Sequence, residues 1–95
     1  MLTREPPSVG PVLLPSEVGL AVLAAIQASN LDVQVQNRGA YLRVLSRSRC
    51  AVTRQAIELQ LGRPVRLPSD LEQCMPSFKG RLRIDAELAV WEDRS

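Results

Sequence analysis

Residues 31–45 read Leu31-Asp-Val-Gln-Val-Gln-Asn-Arg-Gly-Ala-Tyr-Leu-Arg-Val-Leu45, and this stretch decides the fold class. From Leu31 to Gln36 apolar and polar residues alternate, the period of a strand with one face buried. Asn37-Arg-Gly39 is a turn signal, and Ala40 to Leu45 follows as a second strand, so the pattern predicts a β-hairpin. Immediately upstream, Glu17 to Ala28 is rich in Ala and Leu, with Val18, Val22, Ala25 and Ser29 on one stripe and Leu23 and Ile26 beside it. Such a segment predicts a helix packed under a sheet. Ser16 suits its N-cap, and Glu17 suits the positive end of its dipole. Asn30 is expected to end it in the left-handed conformation. Before the helix, Val9-Gly-Pro-Val-Leu-Leu-Pro15 reads as a short strand bounded by prolines. Residues 1–8, with Pro6 and Pro7 in sequence, read as a flexible arm. Residues 9–95 then form a single domain.

Downstream of the hairpin, Ser46-Arg-Ser-Arg49 reads as a loop and Cys50-Ala-Val52 as a short extended piece. Thr53 caps a helix from Arg54 to Leu61, which Gly62 and Pro64 end. Residues 68–74 read as one or two helical turns capped by Ser69 or Asp70. Phe78 to Ile84 is the clearest strand pattern, with Phe78, Gly80, Leu82 and Ile84 inward and Lys79, Arg81 and Arg83 outward. Asp85-Ala-Glu87 makes a turn, and Leu88 to Trp91 closes the sheet. The order is β-α-β-β, then β-α-β-β-like. That is α+β: a small single domain with a mainly antiparallel sheet and two main helices. The expected core is Val22, Ile26, Val33, Val35, Val44, Ile57, Leu61, Phe78, Leu82 and Trp91.

Composition excludes much chemistry. The 95 residues are 45% hydrophobic and 23% charged, which fits one folded domain. There is no histidine, so Ser-His-Asp and Cys-His catalysis, imidazole metal sites and proximal-His haem are excluded within the chain. Cys50 and Cys74 cannot complete a four-ligand zinc site or hold an iron–sulfur cluster. The five glycines form neither a dinucleotide fingerprint nor a phosphate loop. The expectation is a cofactor-free chain that does no catalysis itself. The N-terminal residues lack an apolar signal region, and the longest apolar run is too short for a membrane span. The chain therefore reads as cytoplasmic, with two free, structural thiols.

Charge is laid out unevenly. Residues 38–83 hold ten basic against three acidic groups, net +7, although the whole chain is only +2. Eleven of the twelve cations are Arg, whose planar fork pairs carboxylates bidentately. A basic middle of this kind meets an acidic protein surface or a nucleic acid. Arg43, Arg81 and Arg83 with Tyr41 and Phe78 keep open a small, Arg-rich module for single-stranded nucleic acid. Three aromatics in all argue against it.

Asn37-Arg-Gly-Ala-Tyr-Leu-Arg43, Leu61-Gly-Arg-Pro64 and Met75-Pro-Ser-Phe-Lys-Gly80, with the opening Val9-Gly-Pro11, carry a resemblance in their order and spacing. From about residue 9 to residue 92 the chain resembles the effector (coupling or regulatory) proteins of bacterial multicomponent diiron monooxygenases. The likeness is nearest to the toluene and alkene four-component branch. Asn37 and Val65 depart from the acidic and aromatic residues expected there. The resemblance implies an α+β fold without a prosthetic group and a protein that is not an enzyme. It also implies docking on the hydroxylase subunit that holds the diiron site. Docking would shift helices near that centre, reshape substrate access and couple oxygen activation to electron delivery, in aromatic hydrocarbon catabolism or alkene oxidation. The free protein is expected to be a monomer with no membrane or nucleic-acid partner. The residues expected to meet the hydroxylase are Asn30, Arg38, Tyr41, Arg43 and Ser77. Asn30 also reads as a helix C-cap, and Arg38 as a turn residue.

Overall fold

The hairpin expected around Asn37-Arg-Gly39 is present, with its strands shifted toward their C-terminal ends. The computed structural model describes residues 7–94. In chain order the elements are β1 (Ser8–Leu13), α1 (Glu17–Ser29), β2 (Gln34–Asn37), β3 (Leu42–Arg47), β4 (Arg49–Thr53), α2 (Arg54–Leu61), α3 (Ser69–Cys74), β5 (Ser77–Lys79), β6 (Arg81–Ile84) and β7 (Leu88–Glu92). Of the expected arm, residues 1–6 lie outside the described residues, and Ser8 already belongs to β1. The expected 46–49 loop shrinks to Ser48, whose φ of 62° lets β3 turn straight into β4.

Local chemistry sets the helix ends. The Ser16 hydroxyl accepts the Gly19 N–H at 3.0 Å, and Thr53 accepts the Ala56 N–H at 3.0 Å. Gly62 closes α2 in the left-handed conformation, as its sequence position predicts. α3 differs from expectation: Pro68 stands at its N-cap, and no side chain caps it. Asp70 instead accepts the Arg66 N–H at 2.7 Å in the preceding turn. Asn30 is likewise extended, at φ −130° and ψ 154°, and not left-handed; the positive φ falls on Asp32 at 56°.

The strands form two antiparallel sheets and not one. A four-stranded sheet runs β2-β3-β1-β5 and a three-stranded sheet runs β4-β7-β6. The single strand expected over 78–84 is divided between them at Gly80. Gly80 has φ 102°, and a Cβ there would lie 2.6 Å from the Glu92 carbonyl oxygen and 2.8 Å from the Val9 side chain. The backbone must turn where the two sheets touch, and only glycine fits that turn. Period-2 alternation survives such a corner, so the pattern reads as one strand.

The core lies where the inner faces of both sheets meet the helices. β1 contributes Val9 and Leu13, β3 Val44, β4 Cys50 and Val52, and β7 Ala89 and Trp91. Val22, Ala25 and Ile26 of α1, Ile57 of α2 and Leu71 of α3 fill the space between. Among the described residues Trp91 is the largest fully buried side chain, and its indole N–H has no acceptor there. Its stabilisation is therefore volume and contact, not hydrogen bonding. Five expected core residues (Val22, Ile26, Val44, Ile57 and Trp91) are buried, and Val33, Leu61 and Leu82 pack partly against them. Two are not core: Val35 sits on an edge strand at 36% exposure, and Phe78 is 43% exposed. Phe78, opposite buried Pro11 in register, keeps the inner side of the sheet but stays half-exposed because β5 is a three-residue edge strand.

Candidate docking face

The four-stranded sheet buries its inner face and leaves the other open. Alternation and antiparallel register place Gln36, Arg43, Val12 and Ser77 in one row across all four strands on the outer face. In the next row Gly10 stands opposite Lys79, and Gln34 opposite Leu45. Gly10 leaves a gap in this surface; a Cβ there would meet the Val44 carbonyl oxygen at 2.2 Å, so no side chain can replace it. The gap is part of a depression of about 390 Å³ lined by Gly10, Val12, Tyr41, Arg43, Ser77, Phe78 and Lys79. Tyr41, at 40% exposure, supplies aromatic surface and Arg43 and Lys79 supply charge, while Phe78, opposite buried Pro11 in register, borders the depression from the edge strand on the other face of the sheet. None of the lining residues is acidic.

Three of the five residues expected at an interface, Tyr41, Arg43 and Ser77, are brought together in this depression. Arg38 lies in the β2–β3 turn, where its N–H meets the Tyr41 carbonyl at 2.9 Å and its guanidinium donates to Gln36 Oε1 at 3.1 Å. Asn30 is elsewhere, and its amide is fully engaged. Its Nδ2 donates to the Ile26 carbonyl at 2.9 Å and the Ala51 carbonyl at 2.8 Å, while Oδ1 accepts the Ala51 N–H at 3.0 Å. The carboxamide thus pairs with Ala51 as a neighbouring strand would, closing the open edge of β4 while capping α1. Val12, Gln36 and Lys79 were missed as members of the face. Only strand register puts them beside Arg43; the alternation of Lys79 with Phe78 and Gly80 was the one available signal.

Elsewhere three arginines are paired with carboxylates. Arg54 forks between Glu58, whose two oxygens lie 2.9 Å from Nη1, and Glu87, 3.0 Å from Nη2, tying α2 to the β6–β7 turn. Arg63 pairs with Glu17, and Arg83 with Glu92 across β6 and β7. Glu58 also accepts the Val65 N–H at 2.9 Å. That backbone bond foremost holds its carboxyl below the usual carboxylate range; desolvation opposes it, and Arg54 adds to the lowering. Among the described residues, Arg43 and Lys79 have no ion-pair partner, as is also true of Arg38, Arg49, Arg66 and Arg81. Cys50 and Cys74 are both buried and free. Burial pushes the Cys50 thiol up to about 12, with Arg49 opposing weakly, and burial also raises Cys74. Neither is a nucleophile near neutral pH. Among the described residues no cluster of Cys, Asp and Glu is placed to hold a metal, and no helix is long and apolar enough to cross a membrane.

Residues 7–92 of the chain match a known family model, described as the MmoB/DmpM family. The chain belongs to the MmoB/DmpM family. Within the curated proteins it is similar to the alkene monooxygenase system effector subunit of Xanthobacter autotrophicus strain Py2, at 41% identity over 89 residues. That alignment covers 92% of this chain and 87% of the relative. Among solved structures it superposes on a chain of a phenol hydroxylase–regulatory protein complex with a TM-score of 0.81 at 21% identity, covering 90% of this chain and 98% of that one. A second structure of such a complex gives 0.77 at 20% identity, covering 90% and 99%. At these identities the structural likeness establishes the MmoB/DmpM-type fold.

Proposed function

We propose that this chain is the non-catalytic effector component of a cytoplasmic multicomponent monooxygenase, docking on the diiron hydroxylase that oxidises hydrocarbons. Family membership and the likeness to an alkene monooxygenase effector subunit support the role. The observation that carries the docking part is the carboxylate-free depression of Tyr41, Arg43, Ser77, Phe78 and Lys79 on the outer face of the four-stranded sheet. Exposed aromatics supply contact area, and cations without partners of their own supply charge for hydroxylase carboxylates. An effector of this kind contributes no reacting group. It binds one hydroxylase state more tightly than another and so shifts their populations, which changes rate, coupling and product distribution.

The test is steady-state oxidation with the cognate hydroxylase and electron-transfer proteins, titrating this chain to saturation. An unchanged rate, coupling ratio and product distribution at saturation overturns the proposal. A second reading, single-stranded nucleic acid, has only exposed Tyr41 beside Arg43 and Lys79 in its favour. Family membership weighs against it. A salt-dependent mobility shift with an oligonucleotide, in a chain that leaves the hydroxylase unaffected, would establish it instead.

A further inference from the structure

We propose that the open edge of β2 pairs with the β2 edge of a second copy of this chain, antiparallel and centred on Val35. The inference is independent of the effector reading. It starts from how the four sheet edges differ. β6 carries Arg81 and Arg83, β5 carries Lys79, and β4 carries Arg49 and has Asn30 bonded along it. Charges and covering groups of this kind keep edges from pairing. β2, Gln34-Val-Gln-Asn37, has no charge, no proline and no cover among the described residues.

Backbone geometry selects the register. The Arg38 N–H bonds the Tyr41 carbonyl, in line with the Gln36–Arg43 and Gln34–Leu45 pairs. By antiparallel alternation, residues 34, 36 and 38 direct their backbone groups to β3, while Val35 and Asn37 direct theirs to the open edge. A two-fold pairing centred on Val35 therefore exchanges both hydrogen bonds of Val35 with Val35 of the second copy. It also pairs Val33 with Asn37 and sets Gln34 beside Gln36. Side chains on each face then match: Val35, now 36% exposed, covers its own counterpart.

Charge complementarity supports the same register. It sets Asp32 of each copy opposite Arg38 of the other, twice by symmetry. Neither has an ion-pair partner among the described residues. Both lie on the outer side: Arg38 donates to Gln36, and Asp32 lines a hollow with Gln34, Leu45 and Arg47. Registers shifted by two residues along the edge lose both the Val35 match and the charge match. A four-residue edge buries less than a stable dimer needs, so the pair forms only as concentration rises. The monomer expected from the sequence is the dilute end of that equilibrium.

The experiment is sedimentation equilibrium of the full chain from micromolar to millimolar concentration, with folding of each variant checked by circular dichroism. The wild type is expected to dimerise reversibly. Asp32→Lys and Arg38→Glu alone should each raise the dimer Kd roughly tenfold, since symmetry doubles each like-charge contact. Combined, the two reversals should restore it. Asn37→Pro, which removes an outward N–H and no bond to β3, should also weaken the dimer. A wild type that stays monomeric throughout overturns the proposal. So does a dimer indifferent to the single reversals, or one that the double reversal fails to restore.

Discussion

The two sheets are made of similar residues and put their arginines to different uses. On the three-stranded sheet and the helices, Arg54, Arg63 and Arg83 each meet a carboxylate. β4's open edge is closed by Asn30, and β7 buries Trp91 at the centre of the core. On the four-stranded sheet, Arg43 and Lys79 face outward beside half-exposed Tyr41, and the β2 edge is bare. The first half pairs Arg54, Arg63 and Arg83 internally while Arg49 and Arg81 stay unpaired, and the second pairs neither Arg43 nor Lys79. The comparison teaches that a small domain can separate stability from recognition by sheet, even though both sheets share one core.

Substitutions on the two sheets should therefore fail different assays. The largest stability loss is expected from Trp91→Ala, about 3–5 kcal/mol from a cavity at the core centre, read by chemical or thermal denaturation. Arg43→Ala should do the reverse. Stability should stay within about 0.5 kcal/mol of wild type. Hydroxylase affinity should fall by about 2–5 kcal/mol if the contact carboxylate is desolvated, measured by titrating the stimulation of turnover. Equal losses of stability and affinity in that variant would break the separation.

Asn30→Ala sharpens the comparison, because Asn30 was expected at the interface and is found as a staple. It should cost about 1–3 kcal/mol of stability, since the Ala51 N–H and C=O lose their partners. Stimulation at saturation should persist while the fold holds. Loss of stimulation with an unchanged melting temperature would return Asn30 to the docking face.

A smaller effect is expected from acid. Glu58 is held below its ordinary pKa in the fold, so its stabilisation is present above the unfolded carboxylate range and fades as pH falls through its folded value. Glu58→Gln should flatten the acid limb of the stability curve relative to wild type and change little near neutrality. The smallest expected effect is on the thiols. With Cys50 pushed up to about 12 and both thiols buried, iodoacetamide at neutral pH should label neither in the native chain and both after denaturation.

Elements with local causes were legible in the sequence. α2 was read with its bounds, because Thr53 supplies an acceptor at one end and Gly62 a left-handed residue at the other. α1 was read to within a residue for similar reasons. The candidate docking face was legible only in part. Tyr41 and Arg43 are two residues apart on one strand, so any reading of that strand keeps them together. Ser77 joins them through the β1–β5 pairing, and Val12, Gln36 and Lys79 through register, which no local signal carries.

By itself, then, the sequence determined the α+β class, the helix ends, the hairpin and the absence of histidine-based or phosphate-loop chemistry, since each depends on residues close in the chain or on composition. Tertiary structure alone decided that Gly80 divides one alternating run between two sheets, because the obstacle there is the carbonyl of Glu92 and the side chain of Val9. It decided that Phe78 is left half-exposed at a sheet edge and that Asn30 is consumed by Ala51. Alternation says which residues share a face; only the packing of one sheet against another says whether that face meets the core or water.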